Sequence, residues 1–293
     1  MKILLIGHSI IDHLDDKLTA KIYPGGVYYS TLGILSVKRD QDEIKLITGY
    51  NSKSFSLFEK IYNKIDLTYS TEISEMPEVF LKITDENERE EYYKNISSNL
   101  PITKDIGWNQ FDGILINMIT GFDISVEQLE RIRNSFTGKI FMDVHTLSRG
   151  VDENLKRKFR KIPNIERWLK NIDIIQCNEN ELKTISDLEN EYDAAVCVLN
   201  SGPKILVITK GERGATCYFG DENDISKLDL QAEKVEVKNK VGCGDIFGTV
   251  FFYSYLDSGN LEYSLKSANK TAGFSVSINV LENPERLINH DRK

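Results

Sequence analysis

Four residues stand out for their chemistry: Gly242, Cys243, Gly244 and Asp245, in the run Val241-Gly242-Cys243-Gly244-Asp245-Ile246-Phe247. An apolar, helix-compatible stretch from Ile246 to Leu256 follows directly. Small residues ahead of a helix start make an anion site. The amides of Gly242, Cys243 and Gly244 can point at one spot, and the helix dipole adds partial positive charge there. Without Cβ atoms on the glycines, an anionic oxygen can approach the backbone. An aspartate on the first turn is then held beside the anion, where it can accept a proton from an attacking alcohol. The same residues can also be read as plain helix capping.

Three further segments carry weaker signals. Asn178 and Glu181, in Cys177-Asn178-Glu179-Asn180-Glu181, follow a buried strand and lie three apart, so they share a face of a helical first turn. An amide and a carboxylate there can order water around Mg²⁺, or can simply cap the helix. Thr209, Gly211 and Gly214 belong to Ile208-Thr209-Lys210-Gly211-Glu212-Arg213-Gly214-Ala215, a strand, a Gly-x-x-Gly turn and a second strand. Such a turn can expose amides to a nucleotide or be only a hairpin. Pro24-Gly25-Gly26 precedes Val27-Tyr28-Tyr29-Ser30, which allows close approach of a ligand or an ordinary tight turn.

These segments need positioning elements. Short apolar runs at Ile3–Gly7, Lys45–Thr48, Gly113–Asn117, Lys139–Val144, Ile172–Cys177, Ile205–Thr209 and Ala215–Phe219 read as buried strands. Stretches with helical spacing lie between them. Val126, Leu129, Ile132 and Phe136 form one such face. Strands alternating with helices predict an α/β fold with a doubly wound, mostly parallel sheet flanked by helices. Two segments break the rhythm, at about 12–24 and 78–96. The second holds Val79-Phe80-Leu81 and Glu91-Tyr92-Tyr93 around the charged tract Asp85–Glu91, which predicts a hairpin. Together they are expected to form a small β lid on a single domain spanning 1–293.

Bulk properties narrow the function. A chain of 293 residues buries roughly three quarters of its unfolded surface and needs no staples. The net charge of −8 argues against a nucleic-acid partner, whose binding is dominated by phosphate neutralisation. Cys177, Cys197, Cys217 and Cys243 are scattered without a C-x-x-C pair, so neither a zinc site nor a disulfide framework is expected. No apolar run approaches the roughly 20 residues of a membrane span. Reduced thiols and the absence of a cleavable leader predict a cytoplasmic protein.

In order and spacing, these segments resemble the ribokinase-like, or PfkB, family of carbohydrate kinases over almost the whole chain. Ile3-Leu4-Leu5-Ile6-Gly7 to Asp12 is similar to that family's first strand and its trailing aspartate. The resemblance implies that Asp12, Gly25 and Gly26 contact acceptor hydroxyls. It implies that Asn178 and Glu181, as an N-x-x-E motif, serve Mg²⁺ and the phosphates. Thr209, Gly211 and Gly214 would border ATP, and Asn269, in Ser267-Ala268-Asn269-Lys270, would line the adenine pocket. Val241 to Asp245 matches the G-A-G-D signature, with Asp245 the catalytic base and the amides of 242–244 the anion hole. Arg149, in a stretch after the strand ending near Asp143, would touch substrate or phosphate, whereas His145 reads as structural. The implied fold is the same doubly wound domain with a β lid, and a homodimer through the lid is compatible with it.

The chain also departs from the family pattern. Asn239 and Lys240 replace a usual Asp-Thr ahead of Val241, Cys243 replaces Ala, and Ser30 stands where an Asn is common. The expected activity is ATP-dependent phosphorylation of a hydroxyl on a sugar or sugar-like small molecule. A nucleoside or cyclitol kinase of the same fold, or a silent ligand sensor, are the alternatives. A Rossmann oxidoreductase would need G-x-G-x-x-G after the first strand, and Gly7-His8-Ser9-Ile10-Ile11-Asp12 stands there instead. No basic cluster is apparent near Asp12 and Gly25, which favours an unphosphorylated acceptor.

Overall fold

The computed structural model of the chain describes residues 1–16, 19–82, 90–96, 98–103, 105–151, 157–221 and 224–290. Its main sheet has eight strands. From one edge to the other they are Asp224–Leu230, Ala215–Asp221, Ile205–Thr209, Ile174–Asn178, Lys139–Asp143, Gly113–Asn117, Lys2–Ile6 and Glu43–Ile47. The last six run parallel, and the first two add an antiparallel edge. Gly113–Asn117 is buried at every position and Lys2–Ile6 at all but its first, as strands covered on both faces require. Strand order therefore reverses around the first strand, the point where such sheets bind ligands beyond their carboxyl ends.

Asp224–Leu230 was not expected from the sequence. It is an edge strand with no fully buried side chain, so its apolar pattern is faint. The helix over Val126–Ser135 forms where the periodicity places it, with Val126, Leu129 and Ile132 buried. Ser125 and Gln128 close a capping box at its start, which satisfies two otherwise orphaned amides.

A second sheet of four strands lies apart from the first, in the order Thr19–Gly26, Ser9–Asp16, Glu78–Lys82, Glu90–Lys94. The expected hairpin is its Glu78–Lys82 and Glu90–Lys94 pair, which run antiparallel. Most of the charged tract expected as its turn lies outside the described residues. Asp12 is paired with Val79, and Val79 with Tyr93, so these three share one face of the sheet. All three are buried. The neighbouring row, Ile22, His13, Phe80 and Tyr92, faces the other way, and its Ile22, Phe80 and Tyr92 are exposed.

The helix Cys243–Ser258 is the central brace. Ile246, Val250, Phe251 and Phe252 are at most 1% exposed, packed between the sheet and the outer helices. Phe252 meets Phe141 of the sheet at 5.4 Å between ring centres. On its other side the helix Val27–Val37 comes close at Gly33, where a Cβ would stand 3.1 Å from the backbone of Ile246. That contact sets the first turn of Cys243–Ser258 against the body of the helix Val27–Val37. Phe251→Ala should destabilise the protein by about 3–5 kcal/mol, the usual cost of a large-to-small change in a packed core. A urea titration showing a loss well under 1 kcal/mol would contradict the close packing of this helix.

Candidate active site

The sheet delivers its polar side chains at one edge. The strands Gly113–Asn117, Lys139–Asp143 and Ile174–Asn178 are apolar until their carboxyl ends, which carry Asn117, Asp143, Gln176 and Asn178. Opposite them starts the helix Cys243–Ser258, capped by Gly242 in the left-handed conformation with φ 76°. A side chain at Gly242 would also drive its Cβ into the Tyr29 ring, 2.3 Å away. The local sequence therefore needs glycine there for both conformation and space.

Asp245 lies on the first turn of that helix and is 8% exposed. Asn117 Nδ2 donates to its Oδ1 at 2.6 Å and to Ser30 Oγ at 2.9 Å. Gln176 Nε2 donates to Asp143 Oδ2 at 2.9 Å and to the Gly244 carbonyl at 3.0 Å, tying the sheet to the helix start. Asn117 and Gln176 were missed at the sequence level. The available signal was a lone polar residue at the carboxyl end of an otherwise apolar strand.

Three carboxyl groups are buried together. Burial is the first cause that raises Asp245, and the nearby His145 ring and the Asn117 hydrogen bond oppose it only in part. Glu181 is raised by burial too, again against the pull of His145. Asp143 is held well above the ordinary range by burial and then by the charges of Glu181 and Asp245. His145, expected to be structural, thus stands near enough to act on Asp245 and Glu181. Its φ of 33° is unusual for a residue with a side chain.

The three amides expected to form an anion hole are not equivalent. Cys243 N–H donates to the Lys240 carbonyl at 3.4 Å. Among the described residues, no backbone carbonyl accepts from the amides of Gly242 and Gly244. A Cβ at Gly244 would find nothing within 4 Å, so that position opens outward. It opens into a cavity of about 930 Å³ that also takes in Thr209, Gly211, Gly214 and Asn269. The Gly-x-x-Gly segment is both hairpin turn and cavity wall, since Lys210 N–H bonds the Gly214 carbonyl while Gly211 faces open space. Asn269 Nδ2 donates to the Gln231 carbonyl at 3.0 Å and holds the segment that carries Val235 and Val237. Those two face Ala272 and Val276 of the helix Leu261–Ile278 across the cavity, giving it apolar walls. Asn239 takes over the loop's support, its Oδ1 accepting from Val241 N–H at 2.8 Å. Lys240 lines the same cavity and pairs with Glu212 at 2.6 Å.

Asp12, Gly25 and Gly26, the residues expected to meet the acceptor, gather on the second sheet. Gly25 packs against Asp12 so closely that a Cβ would fall 2.2 Å from Asp12 Oδ2. Gly26 ends that strand and caps the helix Val27–Val37, so the pair forms a strand end rather than a tight turn. Tyr29 bridges the two halves. Its hydroxyl donates to Asp12 Oδ2 at 3.4 Å, and both Asp12 and Asp245 act on it electrostatically. Arg149 pairs with Glu91 at 3.0 Å and stacks 4.6 Å over the Phe159 ring.

Asn178 and Glu181 form a capping box. Asn178 Oδ1 accepts from the amides of Asn180 and Glu181, both at 2.9 Å, and Glu181 Oε2 accepts from Asn178 N–H at 2.8 Å. The Asn178 oxygen is thus already engaged and does not suit it to bind metal. Among the described residues, no three His, Cys, Asp or Glu side chains converge on one point. Mg²⁺ that arrives with phosphates needs only one or two carboxylates, and Glu181 is the residue that fits.

These carboxyls make a sign-definite prediction. A carboxyl whose pKa is raised by folding binds its proton more tightly in the folded state. Its stabilisation is complete below the ordinary carboxylate range and is lost as pH rises through the raised value. Asp143→Asn should therefore reduce the gain in Tm seen on acidifying from about pH 8 to about pH 5. An unchanged Tm profile would mean that Asp143 is not perturbed.

Comparison with known proteins agrees with this fold. Residues 145–281 match the family described as pfkB family carbohydrate kinase. The chain is 33% identical over 119 residues to a fructokinase of Rhizobium leguminosarum bv. trifolii, covering 38% of this chain and 35% of that one. The matched segment thus spans about a third of that relative's length. A ribokinase of Arabidopsis thaliana, solved with ribose and ATP, superposes with a TM-score of 0.73 at 14% identity, covering 98% of both chains. A pyrophosphate-dependent myo-inositol-1 kinase, converted by mutation into a myo-inositol-3 kinase, gives 0.75 at 18% identity, covering 100% of this chain and 99% of that one. At such identities the superpositions speak for the fold. No helix among the described residues is long and apolar enough to cross a membrane. The whole chain thus has the ribokinase-like fold, and its residues 145–281 match the pfkB family of carbohydrate kinases.

Proposed function

We propose that this protein transfers the γ-phosphoryl group of ATP to a hydroxyl of a sugar or sugar-like alcohol, with Asp245 as the base. One observation carries the reading. A buried aspartate sits on the first turn of a long helix, whose start opens at Gly244 into a large cavity with apolar walls. A volume of about 930 Å³ suits a nucleotide and exceeds what pyrophosphate alone would need. Thr209, Gly211 and Gly214 border one side of the bound ATP, and Asn269 shapes the other. The γ-phosphate faces Gly242 and Gly244, whose amides stabilise charge that develops in transfer. Lys240 adds a cation on the same side.

The acceptor lies between Asp12, Gly25, Gly26 and the second sheet, with Arg149 at its rim. Asp245 takes the proton of the attacking hydroxyl as its oxygen bonds to phosphorus and the bond to ADP breaks. Burial raises its pKa and makes it a stronger base than an exposed aspartate. Asn117 orients the carboxylate and Gln176 fixes the helix start against the sheet. Glu181 would help to hold Mg²⁺, which would supply neutralisation of phosphate charge. The second sheet acts as a lid that limits water access. Its outer row of Ile22, Phe80 and Tyr92 suits a homodimer contact through two lids.

The test is ADP release from Mg-ATP across pentoses, hexoses, sugar acids, sugar phosphates, nucleosides and inositols. Acceptor-dependent release is expected, and Asp245→Asn should lower kcat by roughly 10²–10⁴-fold with the fold retained. Full turnover in that variant would remove Asp245 from the mechanism. Release on no acceptor, with ligand still bound, would favour the sensor. Gly244→Val should fill the phosphate approach, raising the KM for ATP and lowering kcat. Normal values of both would exclude the anion-hole role.

A further inference from the structure

Arg157 is a buried cation that has no direct counter-ion among the described residues. It is 8% exposed, at the start of the short strand Arg157–Phe159. Its Nη2 donates to the Thr120 carbonyl at 2.8 Å, and its guanidinium carbon stands 3.5 Å from the centre of the Tyr93 ring. The Nε and Nη1 atoms are buried and have no acceptor among the described residues. Two carboxylates lie within electrostatic reach, Glu91 and Asp123, but each is bonded to another group. Glu91 pairs with Arg149 at 3.0 Å, and Asp123 with His8 at 3.1 Å. Arg149 adds a second positive charge nearby, which acts against that of Arg157. Burying a guanidinium with open donors costs several kcal/mol unless an anion completes it. A ring face offsets only part of that cost.

The position of this cation points to its anion. Tyr93 shares a row of the second sheet with Val79 and Asp12, two strand steps away, which is roughly 10 Å. Both Arg157 and Asp12 act on the Tyr93 phenol. Thr120, which anchors Arg157, follows Asn117 by one turn of loop, and Asn117 holds Asp245. An extended polyol is long enough to cover the two-strand separation between Asp12 and Tyr93. We propose that Arg157 binds an anionic group on the acceptor, so the preferred acceptor is a sugar acid or sugar phosphate rather than a neutral sugar. This reverses the expectation from the sequence, where no basic cluster is apparent near Asp12, because Arg157 and Arg149 reach the site only through the fold. The proposal rests on the kinase reading for the acceptor's orientation.

The experiment compares D-glucose and D-sorbitol with D-gluconate and D-glucose 6-phosphate as acceptors and, separately, as ligands by calorimetry. The wild type should favour an anionic compound by about 10²-fold or more in kcat/KM, the scale for a buried charge-paired contact. Gluconate against the 6-phosphate tells which anion is read. Arg157→Met should erase the preference through the acceptor KM, leave the KM for ATP unchanged, and leave the free protein as stable as before or more so. Arg157→Lys, which keeps the charge, should recover part of the preference, and serves if the Met variant fails to fold. Equal use of neutral and anionic acceptors by the wild type would overturn the inference while leaving the kinase reading intact. If no acceptor is turned over, the kinase reading fails. Calorimetric binding of gluconate or the 6-phosphate, lost in Arg157→Met, would then still support the anion site, and no binding would sink it.

Discussion

The Asn117 amide, 2.6 Å from Asp245 Oδ1, is the contact on which the rest of the site depends. It joins the carboxyl end of a central strand to the first turn of the bracing helix. Left alone, a buried carboxylate would give up its charge. Here one hydrogen bond and the His145 ring offset part of the burial cost, so Asp245 stays raised but titratable. Gln176 repeats the device one strand further along, bonding both Asp143 and the Gly244 carbonyl. The helix start is thereby held at two points, while the Gly242 and Gly244 amides have no backbone acceptor among the described residues.

This arrangement explains why polar residues sit at strand ends in an otherwise apolar sheet. Each strand satisfies its own backbone and delivers one polar side chain past the ladder. Glycine at 242 lets the chain turn left-handed into the helix and leaves room for Tyr29. Tyr29 in turn reaches Asp12 on the second sheet. Tyr29 therefore links the two halves of the site, and a shift of the second sheet would be felt at Asp245.

Much of this was legible in the sequence, and the exceptions have physical reasons. The strands with continuous apolar runs, the helix after Gly242 and the hairpin of Glu78–Lys82 with Glu90–Lys94 carry local patterns that few other structures satisfy. Asp224–Leu230 was hidden because an exposed edge strand has no apolar periodicity. Asn117 and Gln176 were hidden because a lone amide on a strand says nothing until register places it. Asn178 and Glu181 were visible as a pair, and the capping alternative accounts for the Asn178 oxygen. Arg157 was beyond reach, since its burial depends on Tyr93 from a distant strand.

The central claim is that a buried, raised Asp245 takes the acceptor's proton. The pH dependence of kcat/KM for the acceptor tests it most directly. An acid limb should appear with an apparent pKa above the ordinary carboxylate range, and it should vanish in Asp245→Asn, whose residual rate stays flat with pH. A wild-type rate independent of pH through that range, or an acid limb that survives the substitution, would contradict the account.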